Sequence, residues 1–245
     1  MQAGAEPSQQ PVVTLASLEG LPEPVQRYFE FTGVVGHPWI RTVHLTQTGQ
    51  FRQGLEQSWM PVSASQAFTC DPPGFVWNAR FKIAGLPLMR ALDTYKDGHG
   101  HMYGRLAGLI SIFDMRGEQI DQGSLLRYLG EMIWFPTAFL GENITWQAVD
   151  DQSAQVTLVD GELSVSGLLS VDEQGRPTQF SAQRYREVEG VFSLDPWTTP
   201  ITEYGQFESL NLPVRGHVTW NLPDGDLTYF EWQLSRIKYN QPVKF

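Results

Sequence analysis

One stretch of this chain carries a long helical period, and almost everything around it alternates like β-strand. In Ser124 to Leu140, SLLRYLGEMIWFPTAFL, residues Leu125, Leu126, Leu129, Met132 and Ile133 recur at i, i+1, i+4, i+7 and i+8. That spacing lays one broad apolar stripe along a helix. Ser124 suits the N-cap, because its hydroxyl can accept from a free first-turn amide, and Asp121 suits the positive end. Pro136 lacks an amide hydrogen and clashes with the preceding turn, so the helix is expected to stop or kink around Phe135. Arg127 and Glu131, four apart, share one face and are flanked by Tyr128 and Trp134. Two readings of this pair stay open. A solvated ion pair is worth about 0.3–0.5 kcal/mol; a pair lowered into a curved sheet would orient a ligand or relay a proton.

Elsewhere the period is two. Phe75, Trp77, Ala79, Phe81 and Ile83 alternate with Asn78, Arg80 and Lys82, and Leu163, Val165, Leu169 and Val171 with Ser164, Ser166 and Ser170. One dry and one wet face mark an antiparallel sheet solvated on one side. Further strands are expected over Ile40–Phe51, Asn143–Val149, Ala154–Val159, Pro177–Glu187, Thr202–Ser209, Pro213–Asn221 and Leu227–Tyr239, with a hairpin within Arg90–Asp114 turning at Asp97-Gly98-His99-Gly100. Leu21 to Thr32 reads as a short N-terminal helix stopped at Gly33. Residues 1–18 read as a flexible tail and 19–245 as a single domain. The expected fold is mainly β (α+β): a curved antiparallel sheet or half-barrel of about ten strands around one central helix. A sheet that long must curl, because strand twist accumulates.

Composition removes several function classes. A net charge of −10 leaves no basic stripe for nucleic acid and disfavours anionic membrane surfaces. There is one cysteine, Cys70, beside Asp71-Pro72-Pro73, so no intrachain disulfide forms, and the thiol reads as a small packed residue. The first residues lack a basic region followed by an apolar run, and no 18-residue apolar stretch occurs; the default expectation is a cytoplasmic protein with no transmembrane segment.

No nucleophile elbow, P-loop, dinucleotide fingerprint or Cys-x-x-Cys is present, so no cofactor is expected. His99-x-His101, with Asp93 and Asp97 nearby, has the alternation of a two-imidazole metal site but no specified third ligand; a polar turn is the simpler reading, and no metal is expected. Arg184 and Arg186 share the parity of Phe180. They either point into the cup, needing Glu131 or a ligand carboxylate, or snorkel outward. The 8 tryptophans are core first, with stacking on a flat ligand as the alternative.

The chain resembles a bacterial domain-of-unknown-function family on LPEPVQRYF (21–29), GFVWNARF (74–81), LDTYKDGHG (92–100), RYLGEMIWFPTAFL (127–140) and the segments holding Trp197 and Trp220. Arg-Tyr-Leu-x-Glu-x-x-Trp-x-Pro-Thr is its most specific part. Many members carry membrane segments ahead of this domain and this sequence shows none, which argues against a membrane role. The resemblance implies no reaction. At fold level the strand–helix–strand pattern is similar to the curved half-barrels of lipoprotein carriers and related lipid-binding proteins, and fold does not fix function.

Three functions follow as expectations. The first is binding of an apolar or amphipathic small molecule in the cup, with Tyr128, Trp134, Trp77, Asp93 and Arg184 as ligand contacts. The second is a cyclase- or isomerase-type enzyme on a hydrophobic substrate, with Glu131 as acid/base tuned by Arg127. The third is a protein partner paired to a sheet edge.

Overall fold

Backbone hydrogen bonding joins the alternating segments into one 13-stranded antiparallel sheet in the computed structural model, which describes residues 11–243. The strands are β1 (Thr42–Phe51), β2 (Met60–Cys70), β3 (Pro73–Ile83), β4 (Leu86–Lys96), β5 (His99–Leu106), β6 (Ile110–Met115), β7 (Ile144–Asp150), β8 (Ser153–Asp160), β9 (Leu163–Val171), β10 (Pro177–Val188), β11 (Val191–Phe207), β12 (Leu210–Leu222) and β13 (Gly225–Tyr239). Every sequential pair except β6–β7 is a hairpin neighbour, and one non-local pairing, β1 with β13, fuses the two meanders. The β4–β5 turn falls where expected, with Asp97 and Gly98 at φ 52° and 81°. Two successive positive φ angles match the right-handed twist of the flanking strands.

The helix α2 (Glu118–Glu131) lies between β6 and β7 in the chain. It packs on β3, β4 and β5 with one flank and on β9 and β10 with the other, so both halves of the sheet curl around it. Leu125, Leu126, Leu129, Met132 and Ile133 are all buried, as their spacing requires. Two close approaches permit this seat. A Cβ on Gly100 would lie 2.5 Å from Ser124 Oγ and 2.6 Å from Ile120 O, and one on Gly167 would lie 2.1 Å from the Phe180 ring. Glycine is what lets the helix and the ring settle onto the strands.

The short helix α1 (Glu23–Thr32) packs on β8, β9 and β12. Arg27 donates to the Asp151 carbonyl, and Asn211 Nδ2 donates to the Phe31 carbonyl. These contacts seat α1 among the β7–β8 and β11–β12 turns, at one end of the sheet. Val25, Tyr28 and Phe29 are buried, whereas Phe31 is only half-buried.

Several expectations are corrected. There are 13 strands where about ten were expected. β2 was not legible because its inward row, Val62, Ala64, Gln66 and Phe68, contrasts weakly with Ser63, Ser65 and Ala67. β6 is an edge strand with no dry face. Ser124 is not an N-cap: the helix begins at Glu118 after Gly117, Glu118 and Asp121 occupy its first turn, and Ser124 is buried mid-helix. α-Helical geometry ends at Glu131 and tightens to a 3₁₀ turn over Met132–Trp134, with the stop at Phe135 as expected. Residues 1–10 of the expected tail lie outside the described residues, and 11–18 is fixed: Val12 bridges to Pro38, and Val13 and Leu18 are buried. β11 begins at Val191 and ends at Phe207, where a strand was expected only over Thr202–Ser209.

Candidate functional site

Four inward-facing rows of apolar side chains are each interrupted by one polar residue. Gln47 follows Val43 and Leu45 on β1, and Gln66 stands between Ala64 and Phe68 on β2. Asp93 stands between Ala91 and Tyr95 on β4, and Arg184 follows Phe180 and Ala182 on β10. A polar group buried on a dry face is costly unless it finds a partner. α2 supplies partners for two of the four.

Arg127 is the centre of the resulting cluster. Its Nη1 donates to Asp93 Oδ2 at 2.5 Å and its Nε to Glu131 Oε1 at 3.0 Å, while Gln66 Nε2 donates to Glu131 Oε2 at 2.7 Å. The guanidinium also lies over the rings of Trp77, at 4.9 Å, and Phe75, at 5.1 Å. The Arg127 and Glu131 side chains are 15 % and 16 % exposed and Asp93 3 %, which rules out the solvated-pair reading. Burial pushes the Asp93 and Glu131 carboxyls above the usual range, and the Arg127 charge offsets only part of that push. Burial alone would lower Arg127, but Glu131 and Asp93 carry it upward, so it stays charged.

Above this cluster, between α2 and the concave sheet, lies a cavity of about 170 Å³. Trp77, Trp134, Trp197, Trp232, Phe51 and Phe230 form most of its apolar wall. Trp134 is held by its indole donating to the Pro213 carbonyl at 3.2 Å and meets Trp232 edge-on at 5.2 Å. Gln47 Oε1, Trp77 Nε1 and Asp93 Oδ1 are buried without a hydrogen-bond partner, so the wall retains polar valence. A wider recess of about 370 Å³ shares Phe51, Met102, Arg184 and Tyr229 with the cavity. It opens between the β1–β2 loop (Arg52, Gln53) and the β10–β11 hairpin (Glu187, Val188), at the end of the sheet opposite α1.

Of the candidates named from sequence, Trp77, Asp93, Arg127, Glu131, Trp134 and Arg184 all line the cavity. Tyr128 does not. It points the other way, between Phe68 and Phe135, and its hydroxyl donates to the Thr69 carbonyl at 2.9 Å. Arg186 reaches the mouth but is held by Asp195 at 2.7 Å. His99 and His101 face different carboxylates, Asp121 and Asp114, and no group of three or more possible metal ligands gathers among the described residues. Burial pushes the Cys70 thiol up to about 12, which leaves it a poor nucleophile. Sequence reasoning missed Gln47, Gln66 and Tyr229. For Gln47 a signal existed, since it is polar at the parity of Val43 and Leu45 on an expected strand; Gln66 lies on β2, whose faces the sequence did not separate.

No described helix is long and apolar enough to cross a membrane. A LolA superfamily protein from Nitrosomonas europaea is similar at 11% identity over 90% of this chain and 93% of its own, with a TM-score of 0.48. A DUF1329 family protein from Desulfovibrio piger is similar at 10% identity over 96% of both chains, with a TM-score of 0.42. No curated protein matches the sequence. Residues 11–232 match the family of unknown function DUF6544, and the chain belongs to it.

Proposed function

We propose that this protein binds an apolar or amphipathic small molecule in the cavity between α2 and the sheet. The observation that carries the reading is an aromatic-walled cavity whose floor pairs Arg127 with Asp93 and Glu131 and whose wall holds unpaired buried polar atoms, Trp77 Nε1 and Asp93 Oδ1 among them. Apolar wall area supplies affinity and a few fixed polar groups supply orientation. Size narrows the ligand. Drug-sized sites span ~300–1,000 Å³, whereas about 170 Å³ is close to the ~150 Å³ apolar void that takes up benzene. The buried part is therefore one ring or a short chain. Native mass spectrometry of protein purified from its own host, followed by extraction, should find a stoichiometric apolar adduct. A bare mass, with no uptake of a hydrophobic fluorescent dye, would overturn the reading.

A second reading, acid–base catalysis on a hydrophobic substrate, is favoured by one feature: Glu131 lines the cavity and burial raises its proton affinity. In that case Glu131→Gln abolishes turnover and leaves affinity largely intact. Product formation that survives Glu131→Gln would exclude it.

A further inference from the structure

Resting on the cavity reading above, we infer that the ligand is a hydrophobic monocarboxylate, its tail inside the cavity and its carboxylate on Arg184. Arg184 stands where the inner cavity meets the mouth and lines both. It differs from Arg127 in one respect that decides its role. Arg127 has two carboxylates within hydrogen-bonding distance, and Arg184 has none among the described residues. Its Nε is buried and unpaired, and its Nη1 makes a single long contact, 3.4 Å, to the Tyr229 hydroxyl. A guanidinium with five donors and one weak acceptor is an anion site in want of an anion.

The surroundings hold that guanidinium in place. It lies 5.0 Å from the Trp197 ring centroid and 6.0 Å from that of Trp220. The Trp197 indole donates to Tyr229 Oη at 3.0 Å, fixing the hydroxyl that Arg184 contacts. On the helix side stands Gly123, where a Cβ would come only 3.8 Å from Arg184 Nε. Aromatic faces orient the planar cation while leaving its edge donors open.

Charge number and size select the ligand within the anions. The other cations at the mouth are engaged, Arg186 by Asp195 and Arg52 by the Thr228 and Leu55 carbonyls. One open guanidinium matches the single charge and planar fork of a carboxylate; a phosphate dianion would find no second guanidinium with its Nε free, because Arg52 Nε is given to the Thr228 carbonyl and Arg186 Nε to Asp195. The tail then meets the apolar wall of an inner cavity of about 170 Å³.

Calorimetric titration of the full chain at pH 7 with octanoate, 1-octanol and octyl phosphate tests this. Octanoate should bind about ten- to a hundred-fold tighter than octanol, the usual advantage of a charge-assisted contact. Arg184→Gln should erase that preference, and Arg184→Lys should restore only part, since an ammonium lacks the fork. Equal binding of octanoate and octanol, tighter binding of octyl phosphate, or an unchanged preference in Arg184→Gln would overturn the carboxylate assignment and leave the cavity reading standing. Binding of none of the three would remove both. Should Arg184→Gln fail to melt cooperatively, the wild-type comparison among the three ligands still decides.

Discussion

Arg127 on α2 and Asp93 on β4 stand 34 residues apart in the chain and 2.5 Å apart in space. This contact ties the central helix to the sheet at the floor of the cavity. It also places a cation between two carboxylates that water barely reaches.

Arg127→Met should therefore be strongly destabilising. It leaves Asp93 and Glu131 buried without their shared counterion, and losing one member of a buried ionic cluster costs ~3–5 kcal/mol. Urea unfolding at pH 7 measures it. A loss below about 1 kcal/mol, the range of surface pairs, would mean that the cluster is effectively solvated.

The same burial sets a pH dependence. Asp93 and Glu131 have raised folded values, by desolvation first. Between the ordinary carboxylate value of about 4 and those raised values, the folded state holds protons that the unfolded state releases. Their contribution is full below about pH 4 and is lost as pH rises through the folded values. At Asp195, hydrogen bonds from Ser193 and Arg186 lower the value, and at Asp172 the Arg176 contacts outweigh its burial. These two act oppositely, losing stability as pH falls through their lowered values. Urea midpoints of the wild type and Glu131→Gln across pH 4.5–8 check the sign: the variant should be flatter, and a steeper variant would refute the assignment.

Val218 on β12 lines the cavity and is 8% exposed. Val218→Phe should fill the space, so that dye or ligand uptake falls at least ten-fold while the melting temperature holds. Overpacking a site without a void costs ~1–3 kcal/mol. A loss of that size would show that the space is not open to a side chain.

Gly167→Ala should cost ~1–3 kcal/mol, because the added methyl lands 2.1 Å from the Phe180 ring, and a Cβ on Gly130 would itself lie 3.1 Å from that ring, leaving it little room to shift. Phe180→Leu in the same chain should recover part of the loss. Strictly additive effects in the double mutant would exclude the clash as the cause.

Much of the architecture was legible locally. Alternation in Phe75–Ile83 and Leu163–Val171 identifies strands and their dry faces, since side-chain direction follows backbone geometry two residues at a time. The stripe from Leu125 to Ile133, ending before Pro136, identifies the helix by the same kind of local rule. β2 and β6 escaped because one mixes small residues on both faces and the other is an edge. The polar interruptions at Gln47, Gln66, Asp93 and Arg184 were visible as residues but had no partners in sequence space.

What the amino-acid sequence determined by itself was most of the elements, the inward faces of the strands that alternate, and the i,i+4 relation of Arg127 to Glu131. Tertiary structure alone decided that β1 pairs with β13, that Asp93 and Gln66 meet the helix, and that Arg184 is left open beside Tyr229. Periodicity is a property of neighbouring residues. Which faces meet depends on how a twisted sheet curls around one helix, and that is settled by close packing among side chains far apart in the chain.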